Sequence, residues 1–223
     1  MLAEILGVRK GVTAVIGGGG KTTLLRTLGE ELARSGVRVI LSTTTKFLPF
    51  PGIETVSGGE REVAEALART PLVCAAAPWG KGGKLAESPV PMTRLAALAD
   101  YVLVEADGSA GLPLKAHAPH EPVIPAESGR ILLVVGASGF GRPIREAAHR
   151  PERYAQLAGC DIETAVTPEI AARVIRAEGL GDLVLVNQAE TPEAWENARK
   201  LAENLPLPVY AGSLRRGEIE CVS

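Results

Sequence analysis

The sequence predicts an α/β fold with a mainly parallel sheet, and two observations lead to this prediction. Short, continuous apolar runs recur along the chain and alternate with amphipathic segments of helical spacing, which is the pattern of strands and helices in doubly wound sheets. The apolar runs lack the in-and-out alternation of a half-exposed strand, so we expect burial on both faces, as in parallel strands. With 223 residues, residues 1–223 are expected to form a single domain.

The strand and helix candidates follow one another in order along the chain. Strands are expected at residues 12–16, 37–41, 71–77, 101–104, 131–135, 183–186 and 209–211. Helices are expected after residue 21 and at 60–69, 92–99, 167–178 and 192–205. The last two helices each open with Thr-Pro-Glu, in which threonine caps the helix and proline fits its first turn. Residues 79–84 are expected to form a turn or hairpin.

The composition narrows the classes of protein. Aromatic residues make up only 4% of the chain and the formal net charge is −2, so we expect neither nucleic acid nor a membrane surface as partner. No segment has the pattern of a leader or a membrane span. Three cysteines that stand far apart favour a reducing, cytoplasmic setting over a disulfide framework.

A glycine-rich turn between the first strand and the first helix carries the strongest chemical signal. It consists of Gly17, Gly18, Gly19, Gly20, Lys21, Thr22 and Thr23. Glycines let consecutive N–H groups converge on phosphate oxygens, a lysine reaches the terminal phosphates, and a threonine hydroxyl ligates Mg²⁺. The helix N-terminus adds further donors. We therefore predict binding of ATP or GTP with Mg²⁺, and we expect Lys21 to project into solvent until phosphate arrives.

The spacing of the glycines in this turn distinguishes subclasses of phosphate-binding loop. The common G-x-x-x-x-G-K-[ST] pattern would need a glycine at Val15, whereas the chain fits the shorter G-G-x-G-K-T-T. The short form resembles the loops of MinD-like and signal-recognition-type proteins, and also the G-x-x-G-K-T turn of Mur ligases. Ile16 stands where MinD-type ATPases place an additional lysine, which disfavours that subgroup. The resemblance implies a P-loop NTPase-like three-layer fold.

A second polar group ends the apolar run at 101–104, and it consists of Glu105, Asp107 and Gly108. A carboxylate at the end of a buried strand is costly unless it binds a partner, and in P-loop enzymes such an acid holds Mg²⁺ beside the loop threonine. We predict Thr22 and Glu105 as Mg²⁺ ligands and Lys21, Glu105 and Asp107 as catalytic residues. The E-x-x-G spacing is a variant of the D-x-x-G switch, whose glycine contacts the γ-phosphate. A plain Asp-Gly turn is the alternative.

Residues 187–190 follow another apolar run and form a candidate base-recognition loop. Many GTPases carry N-K-x-D at this place, where the asparagine contacts the base and the aspartate pairs with N1 and the amino group of guanine. Here Asn187 is kept, Gln188 replaces the lysine and Glu190 replaces the aspartate. The longer Glu190 side chain shifts the carboxylate by about a bond length, so we expect GTP and ATP to differ by about tenfold or less.

Two further segments are candidates for contact with the substrate. Thr44, Thr45 and Lys46 follow the run at 37–41 and reach the sheet edge where doubly wound folds bind ligands. Residues 108–130 form a connection long enough to be functional. We expect an ordered loop over the site, with Lys115 near phosphate or substrate.

Several scattered residues have two open interpretations. Arg142 and Arg145 are the candidates for an internal arginine finger. His117 and His120 are either surface histidines or metal ligands. Cys221, in the C-terminal tail, is either a free surface thiol or a residue that handles selenium or metal.

Together the three motifs resemble the metallochaperone GTPases of hydrogenase, urease and cobalamin maturation. A resemblance over nearly the whole chain is to the YqeC family, and it rests on the phosphate loop, Thr-Thr-Thr-Lys at 43–46, Val-Glu-Ala-Asp-Gly-Ser at 104–109, Leu-Pro-Leu-Lys at 112–115, Glu-Pro-Val-Ile-Pro at 121–125 and Val-Asn-Gln at 186–188. Members are described as accessory proteins for selenium-dependent molybdenum hydroxylases. This implies a hydroxylase or its cofactor-maturation proteins as partner.

Two classes of function therefore remain possible, and a third is a variant of the first. The first is a slow NTP-hydrolysing accessory factor whose turnover drives a partner or cofactor through a cycle. The second is an ATP-dependent small-molecule kinase or ligase, which the Mur-like turn supports. The third is a nucleotide-dependent switch that hydrolyses little by itself.

Overall fold

The computed structural model describes residues 1–223 and has an α/β architecture. Its strands are β1 (Gly11–Gly17), β2 (Val39–Thr43), β3 (Lys46–Phe47), β4 (Glu54–Val56), β5 (Leu72–Ala75), β6 (Ala77–Trp79), β7 (Lys84–Ala86), β8 (Tyr101–Glu105), β9 (Leu114–Lys115), β10 (Ser128–Gly136), β11 (Ala148–His149), β12 (Leu183–Asn187), β13 (Val209–Ser213) and β14 (Glu218–Cys221). Its helices are α1 (Leu2–Ile5), α2 (Lys21–Arg34), α3 (Glu60–Arg69), α4 (Met92–Leu98), α5 (Ile144–Ala147), α6 (Pro151–Ala158), α7 (Pro168–Glu178) and α8 (Pro192–Glu203), with a 3₁₀ turn at Ala137–Gly139.

The chain divides into two compact units. The first unit consists of Met1–Val15, Thr22–Gly108 and Val123–Arg130. The second consists of Ile16–Lys21, Ser109–Pro122 and Ile131–Ser223. The chain passes from the second unit to the first inside the predicted phosphate loop.

Parallel strands in the order β1-β8-β2-β5-β4 form the sheet of the first unit. The middle of β2 is fully buried, as expected for a parallel strand covered on both faces. The register places Glu105 of β8 beside Val15 of β1 and beside Thr43 of β2. Polar side chains at the ends of these strands therefore meet at one sheet edge.

The core of the first unit lies between this sheet and the helices α3 and α4. Its buried members are Val12, Ile40, Val56, Val63, Ala66, Leu67, Val73, Ala75, Val90, Leu95, Ala99, Val102 and Val104. A smaller antiparallel sheet, β3-β7-β6, contains the hairpin predicted at 79–84. Phe47 and Leu85 of this sheet are buried, whereas Lys46 lies over the half-exposed ring of Trp79, 4.0 Å from its centroid.

The second unit has its own run of strands, in the order β10-β12-β13-β14. The first two pairings are parallel and the last is antiparallel. The helices α6, α7 and α8 pack in sequence against one another. A short parallel pair, β9 with β11, places Lys115 beside His149.

The two Thr-Pro-Glu segments cap helices as the sequence predicts. The Thr167 hydroxyl accepts a hydrogen bond from Ile170 N–H at 3.3 Å, and the Thr191 hydroxyl accepts one from Ala194 N–H at 3.2 Å. Each threonine satisfies a backbone donor of the first turn, and the proline that follows needs none.

The α/β class and the mainly parallel strand pairing are confirmed, and every strand and helix expected from the sequence is present. The limits differ locally, since β2 starts at Val39 rather than at residue 37 and continues to Thr43. The C-terminal segment is the larger difference, because it forms the edge strand β14 where a tail was expected. None of the helices combines the length and apolar character needed to cross a membrane.

Candidate functional site

The turn between β1 and α2 has a backbone conformation that glycine adopts most readily. Gly17, Gly19 and Gly20 have φ angles of 95°, 80° and 127°, where a side chain is disfavoured. A Cβ atom on Gly19 would lie 2.3 Å from the Cα atom of Gly136. A Cβ atom on Gly20 would lie 2.3 Å from Nδ2 of Asn187. The glycines therefore permit both the turn and the close packing around it.

Two backbone donors of this turn bond to protein carbonyls. Gly18 N–H donates to the Val134 carbonyl at 2.9 Å, and Gly19 N–H donates to the Leu112 carbonyl at 3.2 Å. An anionic oxygen that approaches either donor has to replace one of these bonds. The segment around Leu112 thus lies against the turn inside the second unit.

Lys21 begins α2 and is only 4% exposed. Its Nζ atom donates to the Gly17 carbonyl at 2.6 Å. The expectation that Lys21 projects into solvent is therefore wrong. The side chain folds back along the turn, because a buried ammonium group needs a hydrogen-bond acceptor to offset its loss of water.

Thr22 and Glu105 meet in the first unit. The Thr22 hydroxyl donates to the Glu105 carboxylate at 3.0 Å, and Glu105 ends β8 with little exposure. The Thr43 hydroxyl donates to the Glu105 backbone carbonyl at 2.9 Å, which fixes the end of the strand. A hydroxyl and a carboxylate at this separation are hard oxygen donors of the kind Mg²⁺ prefers, with water completing its octahedron. Thr23, the next residue of α2, is exposed.

The acid motif continues beyond β8. Ala106 N–H donates to the Val15 carbonyl at 3.0 Å, so the chain stays beside β1 after the strand has ended. Asp107 is fully buried, and open space surrounds the position that a Cβ atom on Gly108 would take. The first unit therefore holds two buried carboxylates, Glu105 and Asp107, within three residues.

Of the residues after β2, Thr44 and Thr45 lie beside the acid motif, whereas Lys46 lies beside Trp79. Thr44 N–H donates to the Glu105 carbonyl at 3.1 Å, and the Thr44 hydroxyl donates to the Val123 carbonyl at 2.7 Å. Thr45 N–H donates to the Thr43 hydroxyl. These threonines stay with the acid motif, whereas the Lys46 side chain contacts the Trp79 ring.

Asn187 joins three parts of the second unit. The residue is buried, its Nδ2 donates to the Gly19 carbonyl at 2.8 Å, and its Oδ1 accepts from Leu214 N–H at 3.1 Å. Gln188 follows with φ of 67°, an uncommon backbone conformation for a residue with a side chain. The Ser138 hydroxyl donates to Gln188 Oε1 at 2.6 Å. The loop after β12 is thus tied to the glycine turn.

Glu190 contacts two residues that the sequence reasoning missed. The Ser213 hydroxyl donates to Glu190 Oε1 at 2.8 Å, and Arg216 Nη2 lies 3.8 Å from Glu190 Oε2. The signal available in the sequence was a serine two residues after the apolar run at 209–211. Only the pairing of β13 with β12 gives that serine a partner.

Lys115 belongs to a largely buried ionic group. Its Nζ lies 2.9 Å from Glu121 Oε2, and Arg150 Nη1 lies 3.0 Å from the same oxygen. Arg150 was not a candidate from the sequence, and it has φ of 62° at the start of α6. Lys115 and Gly17 also line one cavity of about 20 Å³ together with Tyr154. Lys115 therefore lies near Gly17, at the start of the glycine turn.

Both arginines considered for catalysis bond to nearby groups at the surface. Arg142 Nη2 donates to the Glu146 carbonyl at 3.2 Å. Arg145 pairs with Glu163 and with Glu146. Neither guanidinium contacts the glycine turn.

The histidine and cysteine candidates lie apart. His117 is buried and its Nδ1 lies 2.8 Å from Glu178 Oε2, whereas His120 is exposed. Cys221 is exposed at the end of β14. Burial raises the pKa of the Cys74 thiol to about 12, so this thiol stays protonated at neutral pH. No three His, Cys, Asp or Glu side chains form a group that could hold a metal ion.

Strand β1, the four-glycine turn and the helix that opens with Lys-Thr form the strand-turn-helix arrangement that is typical of a phosphate-binding loop. The model of the YqeC protein family matches residues 13–152, and the chain belongs to this family. A protein of Escherichia coli (strain K12), named Uncharacterized protein YqeC, is 35% identical over 158 residues. The match spans 68% of this chain and 62% of that protein, less than two thirds of the relative.

Solved structures that are similar to this chain include two FtsY proteins. Chloroplast FtsY from Physcomitrella patens has 14% identity and a TM-score of 0.47, with coverage of 92% of this chain and 58% of that chain. FtsY from Elizabethkingia anophelis in complex with GDP has 14% identity and a TM-score of 0.44, with coverage of 96% and 61%. At these values the likeness carries no functional conclusion.

Proposed function

We propose that this protein binds a nucleoside triphosphate with Mg²⁺, hydrolyses it slowly, and serves as a cytoplasmic accessory factor in the maturation of a selenium- and molybdenum-dependent hydroxylase. One observation carries the nucleotide part of the proposal. At the junction of β1 and α2, Lys21 is folded onto the Gly17 carbonyl and the Thr22 hydroxyl is bonded to the Glu105 carboxylate. A lysine beside a glycine turn is typical of a phosphate site, and a hydroxyl beside a carboxylate is typical of a magnesium site.

The proposed phosphate contacts come from the glycine turn. Backbone N–H groups of Gly18 and Gly19 turn to phosphate oxygens in exchange for the carbonyls of Val134 and Leu112, and Lys21 adds its positive charge. The exchange replaces a neutral acceptor with an ionised one. Charge-assisted hydrogen bonds are about twice as strong as neutral ones, which favours the exchange.

The proposed magnesium ligands are the Thr22 hydroxyl and the Glu105 carboxylate, directly or through water. Bound Mg²⁺ would neutralise charge that develops on the phosphate oxygens. Asp107, buried two residues further on, is proposed to orient the attacking water, and Gly108 to offer its N–H to the γ-phosphate. These assignments rest on the residue types and on their position after β8.

The base contacts are assigned to Asn187, Gln188 and Glu190. Asn187 already bonds to the phosphate loop through the Gly19 carbonyl, which supports placing a base subsite beside a phosphate subsite. Thr44, Thr45 and Lys115 remain candidates for contact with the transferred group or with a partner.

Slow turnover is expected because the two arginine candidates bond elsewhere. Arg142 bonds to the Glu146 carbonyl, and Arg145 pairs with Glu163. P-loop enzymes that have no arginine at the γ-phosphate hydrolyse slowly until a partner supplies one. The hydroxylase part of the proposal is supported by membership of the YqeC family and by the motifs that carry the resemblance.

The proposal is tested by measuring phosphate release from GTP and from ATP with purified protein and Mg²⁺. We expect turnover below about 0.01 s⁻¹, which rises when an immature hydroxylase of the selenium- and molybdenum-dependent class is added. Glu105→Gln should remove the activity, and Glu87→Gln, at an exposed residue of the first unit outside the proposed site, is the matched control. Fast, partner-free transfer of phosphate to a metabolite would contradict the proposal and support the kinase or ligase alternative.

A further inference from the structure

The end of Glu190 is held in one place by the strand next to its own. The loop after β12 docks on β13 because Ala189 N–H donates to the Gly212 carbonyl at 2.9 Å. This contact brings the Glu190 side chain to Ser213, which ends β13 and is only 2% exposed. The carboxylate is thus anchored although the rest of the Glu190 side chain is partly exposed.

The direction of the bond between Ser213 and Glu190 follows from the contacts of the hydroxyl. Ser213 Oγ accepts from Arg216 N–H at 3.4 Å and donates to Glu190 Oε1 at 2.8 Å. A hydroxyl has one proton to give, and Ser213 gives it to Glu190. The carboxylate is therefore oriented by a buried donor, and its second oxygen, Oε2, faces the exposed Arg216 guanidinium at 3.8 Å.

The anchored carboxylate is linked to the phosphate loop through Asn187. This side chain bonds to the Gly19 carbonyl on one side and to Leu214 N–H, directly after Ser213, on the other. All these groups belong to the second unit. The distance between a phosphate held at Gly19 and a base edge held at Glu190 is consequently fixed before any ligand binds, which lowers the cost of ordering on binding.

From this geometry we infer that Ser213 fixes Glu190 as a reader of guanine, so that the nucleotide is GTP. The inference rests on the proposed nucleotide function. Guanine offers adjacent donors, N1–H and the 2-amino group, to the two oxygens of a carboxylate, which is a bidentate pairing. Adenine instead presents the lone pair of its N1 atom and carries only a hydrogen at position 2, so it offers an anchored carboxylate no comparable donors and its N1 lone pair repels the carboxylate.

The bond to Ser213 also changes the expected discrimination between GTP and ATP, which the length of the Glu190 side chain alone would make weak. A free glutamate would place its carboxylate loosely and discriminate weakly, whereas Ser213 removes much of that freedom. A site built to pair with substrate N–H groups rejects analogues without them, because its own polar groups are left unpaired. We expect GTP to bind at least about tenfold more tightly than ATP, which is about 1.4 kcal/mol.

Equilibrium titration of the full chain with GTP, ATP and XTP in the presence of Mg²⁺ tests the inference. Ser213→Ala should weaken GTP binding by about tenfold and leave ATP binding nearly unchanged. Glu190→Gln should lose affinity for GTP and gain affinity for XTP, because an amide can donate to the 2-carbonyl of xanthine. Ser57→Ala, at an exposed serine far along the chain, is the matched control and should leave all three affinities unchanged.

The outcomes separate the inference from the proposed function. If GTP and ATP bind equally well to the unaltered protein, or if Ser213→Ala weakens both to the same extent, the base assignment is wrong while nucleotide binding stands. If no nucleotide binds, the proposed function itself is wrong and the assignment falls with it. Gain of XTP binding in Glu190→Gln supports the assignment even if Ser213→Ala is unstable.

Discussion

Lys21 combines a proposed ligand role with a structural one at the scale of the single residue. Its ammonium group bonds to the Gly17 carbonyl and is shielded from water. A phosphate that enters the turn would therefore meet a cation already in position. The same burial means that removing the side chain affects the fold as well as the ligand.

Lys21→Ala is expected to weaken nucleotide binding by about 10- to 100-fold, the loss that corresponds to a charge-assisted hydrogen bond. It should also lower the free energy of unfolding by about 1–2 kcal/mol, because a bond at the loop is lost. Affinity is measured with a fluorescent nucleotide, and stability by denaturant unfolding. Lys81→Ala removes an exposed lysine of a surface turn and should change neither quantity. Wild-type affinity in a folded Lys21→Ala protein would remove Lys21 from the site.

At the scale of the element, a side-chain hydrogen bond joins the end of β8 to the start of α2 within the first unit. Glu105 is placed by strand register between β1 and β2, and Thr22 by the first turn of the helix. The two side chains are 83 positions apart in the chain and still bonded. Their contact depends on the parallel pairing of β1 with β8.

Glu105→Gln should make nucleotide binding much less dependent on Mg²⁺, since an amide is a poorer Mg²⁺ ligand than a carboxylate. The quantity to measure is the nucleotide dissociation constant as a function of Mg²⁺ concentration. The unaltered protein should bind more tightly as Mg²⁺ rises, and the variant should show a shallow dependence. Glu87→Gln, at an exposed residue outside the proposed site, serves as the control. A Mg²⁺ titration identical to that of the unaltered protein would exclude Glu105 and direct attention to Asp107.

Most of the strands and helices could be predicted from the sequence. Continuous apolar runs and the Thr-Pro-Glu caps placed the main strands and helices, because both signals are local. The edge strand β14 and the helix α6 were missed, since β14 is largely polar and two of the three buried residues of α6 are alanines, which give a weak apolar stripe. Ser213 was missed for another reason, as its partner Glu190 lies 23 positions away and only the pairing of β12 with β13 brings them together.

At the scale of the whole molecule, each of the two compact units carries residues of its own with a proposed role. Thr22, Glu105 and Asp107 belong to the first, whereas the glycine turn, Lys21 and the loop at Asn187 belong to the second. A single domain over residues 1–223 stays a prediction. Composition and periodicity could not place this division, because it depends on contacts between distant segments such as Leu112 with Gly19.

Calorimetric titration of the unaltered protein with GTP and with ATP, each with and without Mg²⁺, tests nucleotide binding most directly. We expect one binding event with a dissociation constant below about 1 mM, tighter with Mg²⁺ than without it, and tighter for GTP than for ATP. Absence of binding heat for both nucleotides at millimolar concentration, confirmed by the absence of thermal stabilisation under the same conditions, would contradict the assignment of residues 17–23 as a phosphate-binding loop.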